Sequence, residues 1–273
     1  PEDLHRQGLV CAACHVRAHL RYGPPARKPS PASAHGGFEP SVAFGDSRFC
    51  ATCHQFKPDG PSLNGKLLEN TYEEWRASPA AAAGQTCQSC HMPERRHLWR
   101  GVHDRDTVAA ALARELRVER VGADRARVTA RLENVGAGHR FPTYLVPKLY
   151  VRLRAKGREG EQIIARRVIG RTANVDLTEE SADTRLAPGE AIALAADFAP
   201  GEEGMIALEI DVAPAEHYER MFEAMLARYP KLDPAARAQL AQALDEARAK
   251  RYALPPLKLP VPAKRGVTAR VAN

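Results

Sequence analysis

The chain has 273 residues, of which 44% are hydrophobic and 27% are charged, and its formal net charge is +7. This composition predicts a globular chain of up to two modest domains and excludes an intrinsically disordered one. No apolar run reaches the roughly 18 residues of a membrane-spanning helix, so no such helix is expected. The arginines are scattered rather than clustered with aromatic residues, which excludes a nucleic-acid-binding function.

All six cysteines fall in three copies of the motif Cys-x-x-Cys-His. The copies are Cys11, Cys14 and His15; Cys50, Cys53 and His54; and Cys87, Cys90 and His91. This motif is the attachment signature of c-type haem, in which both thiols become thioethers and the histidine binds the iron as its proximal ligand. Zinc sites, redox dithiols and disulfides also use cysteine pairs, but none requires a histidine after every second cysteine. The motifs therefore predict three covalently bound haem c groups.

Residues 1–115 are predicted to form a trihaem domain that is mostly irregular and helical, with the haems supplying its apolar mass. We expect Thr71 to cap a helix that begins at Tyr72, with Glu74 completing a capping box. Asp104 is expected to cap a second helix that runs from about Arg105 to Leu116.

Alternating apolar and polar residues then predict strands at 127–135, 149–153, 163–164, 192–198 and 205–212. Residues 116–213 are therefore predicted to form an antiparallel β-sandwich. Two helices follow, from Ala215 to Arg228 and from a cap at Asp233 to about Tyr252, so residues 214–253 are expected to form a helical hairpin. The proline-rich, basic residues 254–273 are expected to lie extended on the surface. The predicted fold class is α+β.

Each haem iron has a sixth position, and its occupant decides between electron transfer and ligand chemistry. His139 is the preferred distal ligand, because the glycines of the segment Gly136–Thr143 allow the backbone to approach a flat group closely. Phe141 and Pro142 are expected to form an apolar wall beside it. The other distal candidates are His103 and His35, with His97 and His5 as alternatives. His19 ranks below these, and His217 is expected to be a surface residue.

Five stretches resemble a family of bacterial multihaem c-type cytochromes: Phe49–Phe56, Thr71–Trp75, Thr86–Pro93, Gly136–Thr143 and Asp183–Glu190. The resemblance implies a haem-binding N-terminal half followed by a β domain, and a role in respiratory or extracellular electron transfer. It also implies that the β domain supplies His139 as a haem ligand. Relatives often carry a further haem motif upstream, and whether such a segment is missing before Pro1, or replaced by a neighbouring subunit, stays open.

These observations favour an electron carrier over an enzyme. Haem is attached to such motifs outside the cytoplasmic membrane, and the chain begins at Pro1 rather than Met, so we expect a periplasmic or extracellular protein whose signal peptide has been removed. The haem propionates lower the net charge to about +4, and the remaining positive surface suits an acidic redox partner. One alternative is a haem enzyme that converts a small nitrogen or sulfur species at one open iron. The other is a subunit of a cytochrome filament in which His5 ligates a neighbouring haem.

Overall fold

The computed structural model describes residues 8–25, 37–201 and 204–273. The helices within these ranges are α1 (Cys11–His15), α2 (Arg48–His54), α3 (Thr71–Arg76), α4 (Pro79–Ala82), α5 (Cys87–His91), α6 (Arg105–Ala111), α7 (Glu216–Arg228) and α8 (Pro234–Ala249), with short 3-10 helices at Val42–Gly45 and Pro93–Arg95. The strands in the first half are β1 (Val16–Arg17), β2 (Leu20–Gly23), β3 (Glu39–Pro40), β4 (Ser62–Leu63) and β5 (Lys66–Leu67). The later strands are β6 (Leu112–Arg120), β7 (Ala126–Asn134), β8 (Lys148–Gly157), β9 (Gly160–Ile169), β10 (Arg171–Ala173), β11 (Glu180–Asp183), β12 (Ala191–Phe198), β13 (Met205–Ala213), β14 (Tyr252–Ala253), β15 (Leu257–Pro260) and β16 (Thr268–Ala272). The chain is α+β, as predicted.

Two antiparallel sheets make up most of the second half. The first has the strand order β12-β7-β6-β16, and the second has the order β14-β13-β8-β9, with β15 also paired to β13. Along β7, the buried residues Ala126, Val128, Ala130 and Leu132 alternate with more exposed polar ones. These side chains share one hydrophobic core with buried residues of β8 and β13. Burying a valine or leucine side chain in such a core stabilises the fold by about 1.5–3 kcal/mol.

The C-terminal segment corrects the prediction of an extended surface tail. Strand β15 pairs with β13, placing Leu257 opposite Leu208, and β16 pairs with β6, placing Val271 opposite Leu116. Leu257 and Leu259 are buried, as are neighbouring Leu254 and Val261. Strand β15 lies at the edge of its sheet, where proline is tolerated because no further ladder bond is needed. The segment therefore completes both sheets, although its proline content disguises the alternation.

Local capping agrees with the prediction at two helices. Asp104 accepts a hydrogen bond from the Thr107 N–H at 2.8 Å, and Asp233 caps α8 through the N–H groups of Ala235 and Ala236. Helix α6 ends at Ala111 rather than Leu116, because the next residues form β6 with alternate side chains buried.

The predicted capping box at α3 is wrong. The helix begins at Thr71 itself, and Asn70 precedes it without a side-chain cap. The Thr71 hydroxyl contacts the side chains of Glu69 and Thr143, both at 2.5 Å. Glu74 reaches the β half instead of the start of its own helix. The Glu74 side chain thus makes tertiary hydrogen bonds in place of the predicted local one at the start of α3.

The N-terminal half contains few buried side chains. Among the described residues before Val108, Leu63 is the only buried hydrophobic one. Large apolar side chains in the same part of the chain are exposed, namely Leu9, Val16, Leu20, Phe38, Val42 and Trp99. This distribution fits a half in which flat, apolar haems supply the packing.

Candidate haem centres

Each Cys-x-x-Cys-His motif forms the end of a short helix. The motif histidines His15, His54 and His91 are the last residues of α1, α2 and α5. Because residues three and four apart lie on the same helix face, one turn brings both thiols and the imidazole of a motif to one side. Helix α5 is additionally capped, since Thr86 and Ser89 exchange side-chain and backbone hydrogen bonds. The local geometry thus suits attachment of one porphyrin edge per motif.

The second and third motifs lie against each other. The Cys87 N–H donates to Ser47 Oγ at 3.0 Å, and Gln88 Nε2 donates to the backbone oxygen of Asp46 at 2.8 Å. The thiols of Cys50 and Cys87 interact, and this hydrogen bond raises the pKa of Cys50 and lowers the pKa of Cys87 to about 6. The thiol of Cys14 also lies near enough to raise the pKa of Cys50. A thiol of the first motif and a thiol of the third motif therefore both lie near the Cys50 thiol.

The imidazole rings of His91 and His139 lie close together and nearly parallel. Their ring centres are 6.3 Å apart and their planes differ by 12°. His91 Nδ1–H donates to the Arg100 carbonyl at 2.5 Å, and His139 Nδ1–H donates to the Arg140 carbonyl at 2.8 Å. Both Nε2 atoms therefore remain available for a metal. Burial lowers the pKa of His139, which favours the neutral imidazole that binds metals.

This separation matches an iron held between two imidazoles. A metal–imidazole bond is about 2 Å long. A ring nitrogen lies about 1.1 Å from the centre of its five-membered ring, given ring bonds of about 1.3–1.4 Å. Two such imidazoles on opposite sides of one metal therefore have ring centres about 6 Å apart. The observed 6.3 Å between His91 and His139 fits a haem iron between them.

A second imidazole pair is formed by His15 and His97. Their ring centres lie 6.0 Å apart with planes inclined by 55°. Rotation of either ring about the iron–nitrogen axis leaves the bond intact, so this inclination is compatible with ligation. His15 Nδ1–H donates to the Tyr22 carbonyl at 2.8 Å, which leaves its Nε2 available, and Phe44 stacks on its ring at 4.8 Å. The sequence offered His97 only as an alternative ligand, and the structure places its ring next to that of the motif histidine His15.

The other candidate histidines within the described ranges are not paired in this way. Within the described residues, neither His54 nor His103 has another histidine ring packed against it. His103 lies near Lys250, and burial lowers its pKa. His5 and His35 lie outside the described residues.

One further histidine, His217, differs from expectation. His217 is buried, with 4% of its surface exposed, where a surface residue was expected. Its ring lies 3.3 Å from the Arg220 guanidinium on α7. His19 lies between β1 and β2 with a positive φ of 64°, and not on a continuation of α1.

The loop that carries His139 packs closely against both halves of the chain. A Cβ at Gly136 would lie 2.6 Å from the Ala110 carbonyl oxygen. A Cβ at Gly138 would lie 2.8 Å from Ala80 Cβ, in the haem half. Both glycines thus permit close packing of the loop against other parts of the chain, while the predicted approach to a flat haem stays a prediction. Phe141 is buried in the core of the sheets, so its side chain contributes to that core.

Partly buried ion pairs of Lys66 join the β4–β5 hairpin to the β10–β11 hairpin, where Arg171 and Glu180 form a buried pair. Lys66 Nζ lies 2.5 Å from Glu180 and 2.8 Å from Asp183. Arg171 is fully buried, binds Glu180 at 2.6 Å and donates to the Leu63 carbonyl. Burial opposes ionisation of Asp183, yet hydrogen bonds from Arg185 and Lys66 hold its pKa well below the usual range. Removing one partner would leave a buried charge uncompensated, so these contacts specify how the halves meet.

Sequence reasoning missed the polar residues that hold the His139 loop. They are Glu74, Asn134 and Arg185, which hydrogen-bond around this loop. A signal was present, because three stretches of the family resemblance, Thr71–Trp75, Gly136–Thr143 and Asp183–Glu190, meet here. Spacing alone could not show that they are neighbours.

Comparison with known proteins shows a likeness of fold. No family model matches the chain, and no curated protein matches it. Among solved structures, the chain is similar to a penta-haem cytochrome c552 from Thermochromatium tepidum, with 17% sequence identity and a TM-score of 0.55. The match covers 82% of this chain and 58% of that protein, so the chain spans less than two thirds of its length. None of the described helices is both long and apolar enough to cross a membrane. The chain has the fold of a multihaem cytochrome c.

Proposed function

We propose that the chain binds three haem c groups and relays electrons between redox partners. The observation that carries the proposal is the combination of three attachment motifs with two facing imidazole pairs, His91 with His139 and His15 with His97. Two histidines on one iron leave no open position, and such a low-spin iron changes little on reduction. This arrangement favours electron transfer over ligand chemistry.

The convergence of the motifs supports rapid transfer between the haems. Each thioether joins a cysteine to a porphyrin edge. The thiols of Cys87 and Cys14 both lie near that of Cys50, so the haems of the first and third motifs are expected to have an attached edge near the haem of the second. We assign the haem of the second motif to the middle of the relay, because Cys50 is the thiol that interacts with both others.

The domain arrangement follows from the distribution of burial. We infer a haem-packed N-terminal domain and a β-sandwich made by the two sheets that share one core. The β domain supplies His139 to the iron bound by His91. For the iron bound by His54, the sequence leaves His35 and His5 as distal candidates, and His103 has no facing motif imidazole to support it.

The proposed setting is the periplasm or the cell exterior, where haem is attached to such motifs. The partners are other redox proteins, and the net positive surface favours acidic ones. Assembly of several copies into an oligomer or filament remains compatible with this role.

Haem count and ligation test the proposal. We expect the intact mass of the denatured, matured protein to exceed that of the polypeptide by three haems, and protein-film voltammetry to show three reversible one-electron steps. A mass increase of two haems or fewer would contradict the count.

A matched pair of histidine variants tests the ligand assignment. His139→Ala should convert one iron to a high-spin state in the ferric spectrum and let one reduced haem bind carbon monoxide. His103→Ala should leave that iron low-spin, since His103 faces no motif imidazole. If the His139→Ala protein stays fully low-spin and does not bind carbon monoxide, His139 is not a ligand.

A further inference from the structure

Glu74 connects the haem half to the loop that carries His139. Its Oε2 accepts a hydrogen bond from the Arg140 N–H at 3.1 Å, and its Oε1 accepts one from Arg185 Nη1 at 3.2 Å. The side chains of Glu74 and Arg185 are only 10% and 6% exposed. Arg185 also binds Asp183 through Nε and Nη2, at 2.8 and 3.0 Å. Glu74 is therefore a buried acceptor whose two oxygens both bind the β half.

Glu74 binds the peptide group that joins His139 to Arg140. Its N–H belongs to Arg140 and its C=O belongs to His139. Asn134 Nδ2 donates to that His139 carbonyl at 3.0 Å, and Asn134 is 1% exposed. One peptide group is thus hydrogen-bonded at both ends, by Asn134 from the β half and by Glu74 from the haem half. Rotation of this peptide would break a buried hydrogen bond on either side.

Glu74 is also connected to the imidazole ring of His139 through Arg140. His139 Nδ1–H donates to the carbonyl of Arg140, whose N–H binds Glu74. A partner on the second ring nitrogen fixes the orientation and the tautomer of a metal-binding histidine. The chain of contacts runs from α3, through Glu74 and Arg140, to the ring that faces His91.

We propose that Glu74 is a positioning residue for the distal histidine, holding the His139–Arg140 peptide so that the imidazole meets the iron bound by His91. This inference rests on the proposed function, because it assumes that His139 is a ligand. It also explains why a residue expected to cap its own helix points away from it.

The neighbouring residue provides a matched control. Glu73 is on the same helix but is exposed, and its carboxylate pairs with Arg76 one turn later. Glu73→Ala removes a carboxylate of the same type without touching the His139 loop. Glu74→Gln keeps an oxygen that accepts from the Arg140 N–H but loses the charge that binds Arg185, whereas Glu74→Ala loses both contacts.

The experiment compares these variants as full-length, haem-loaded protein. Ferric electron paramagnetic resonance, carbon monoxide binding and the potentials of the three haems are measured for Glu74→Ala, Glu74→Gln, Glu73→Ala and His139→Ala. We expect Glu74→Ala to produce a high-spin fraction at the same iron that His139→Ala opens, and to shift one potential. Glu74→Gln should remain largely low-spin with altered g-values at that iron, and Glu73→Ala should match the unaltered protein.

The outcomes separate this inference from the ligand assignment. If His139→Ala opens an iron while both Glu74 variants keep the g-values, potentials and carbon monoxide resistance of the unaltered protein, Glu74 does not position the ligand. If His139→Ala itself opens no iron, the assignment of His139 fails first. If Glu74→Ala does not accumulate, unchanged g-values and potentials in Glu74→Gln suffice to overturn the inference.

Discussion

Replacing Gly138 with alanine adds one methyl group at the contact between the His139 loop and α4. The new Cβ would lie 2.8 Å from Ala80 Cβ and 3.4 Å from Trp75 Cδ1. Carbon atoms pack best at about 3.5–4.0 Å, so the loop must retreat by roughly 1 Å. That shift is about half the length of a metal–imidazole bond. Overpacking of this kind costs about 1–3 kcal/mol, which disfavours the ligated position of His139 by about 5- to 150-fold.

A second substitution, at Ala80, should relieve the steric overlap that Gly138→Ala creates. Ala80→Gly removes the methyl group that the new alanine meets, at a cost of about 1 kcal/mol in helix propensity. Gly138→Ala should gain a high-spin ferric component and bind carbon monoxide at one reduced iron, and the double variant should recover the low-spin spectrum. Gly122→Ala is the control, since its Cβ would meet only Arg125, at 3.8 Å. If Gly138→Ala keeps the spectrum and thermal stability of the unaltered protein, the close contact with Ala80 does not exist.

Two further perturbations test the β half. Lys148 is buried with its Nζ 3.4 Å from Glu216, and burial lowers its pKa to about 8. Because an unfolded lysine titrates near 10.4, the unfolded state binds more protons between these values, and the free energy of unfolding should rise with pH from about 8 to 10. Lys148→Met should remove that rise in denaturant titrations, and an unchanged pH profile would contradict the burial argument. Deleting residues 255–273 removes the buried side chains of Leu257, Leu259 and Val261, each of which stabilises the fold by about 1.5–3 kcal/mol. The truncated protein should therefore fail to accumulate in folded form. A normal yield and melting temperature would show that β15 and β16 are dispensable.

The sequence by itself determined the features that depend only on residues close together in the chain. The haem-attachment motifs need only five consecutive residues, so their positions are evident without any fold. The caps at Asp104 and Asp233 also act over a few residues, and both occur as predicted. The alternation along β7 is visible because each strand residue faces the side opposite to its neighbour.

Only the tertiary structure decided the features that depend on contacts between residues far apart in sequence. The pairing of His15 with His97 joins residues far apart in sequence, so spacing did not distinguish His97 from His103. Glu74 had a sufficient local role as a capping residue, but the burial of Arg185 makes the contact between Glu74 and Arg185 the stronger one, because an unpaired buried charge costs more than an uncapped helix end exposed to water. The last strands became recognisable only beside β13 and β6, whose edges they complete and whose core covers their alternate side chains.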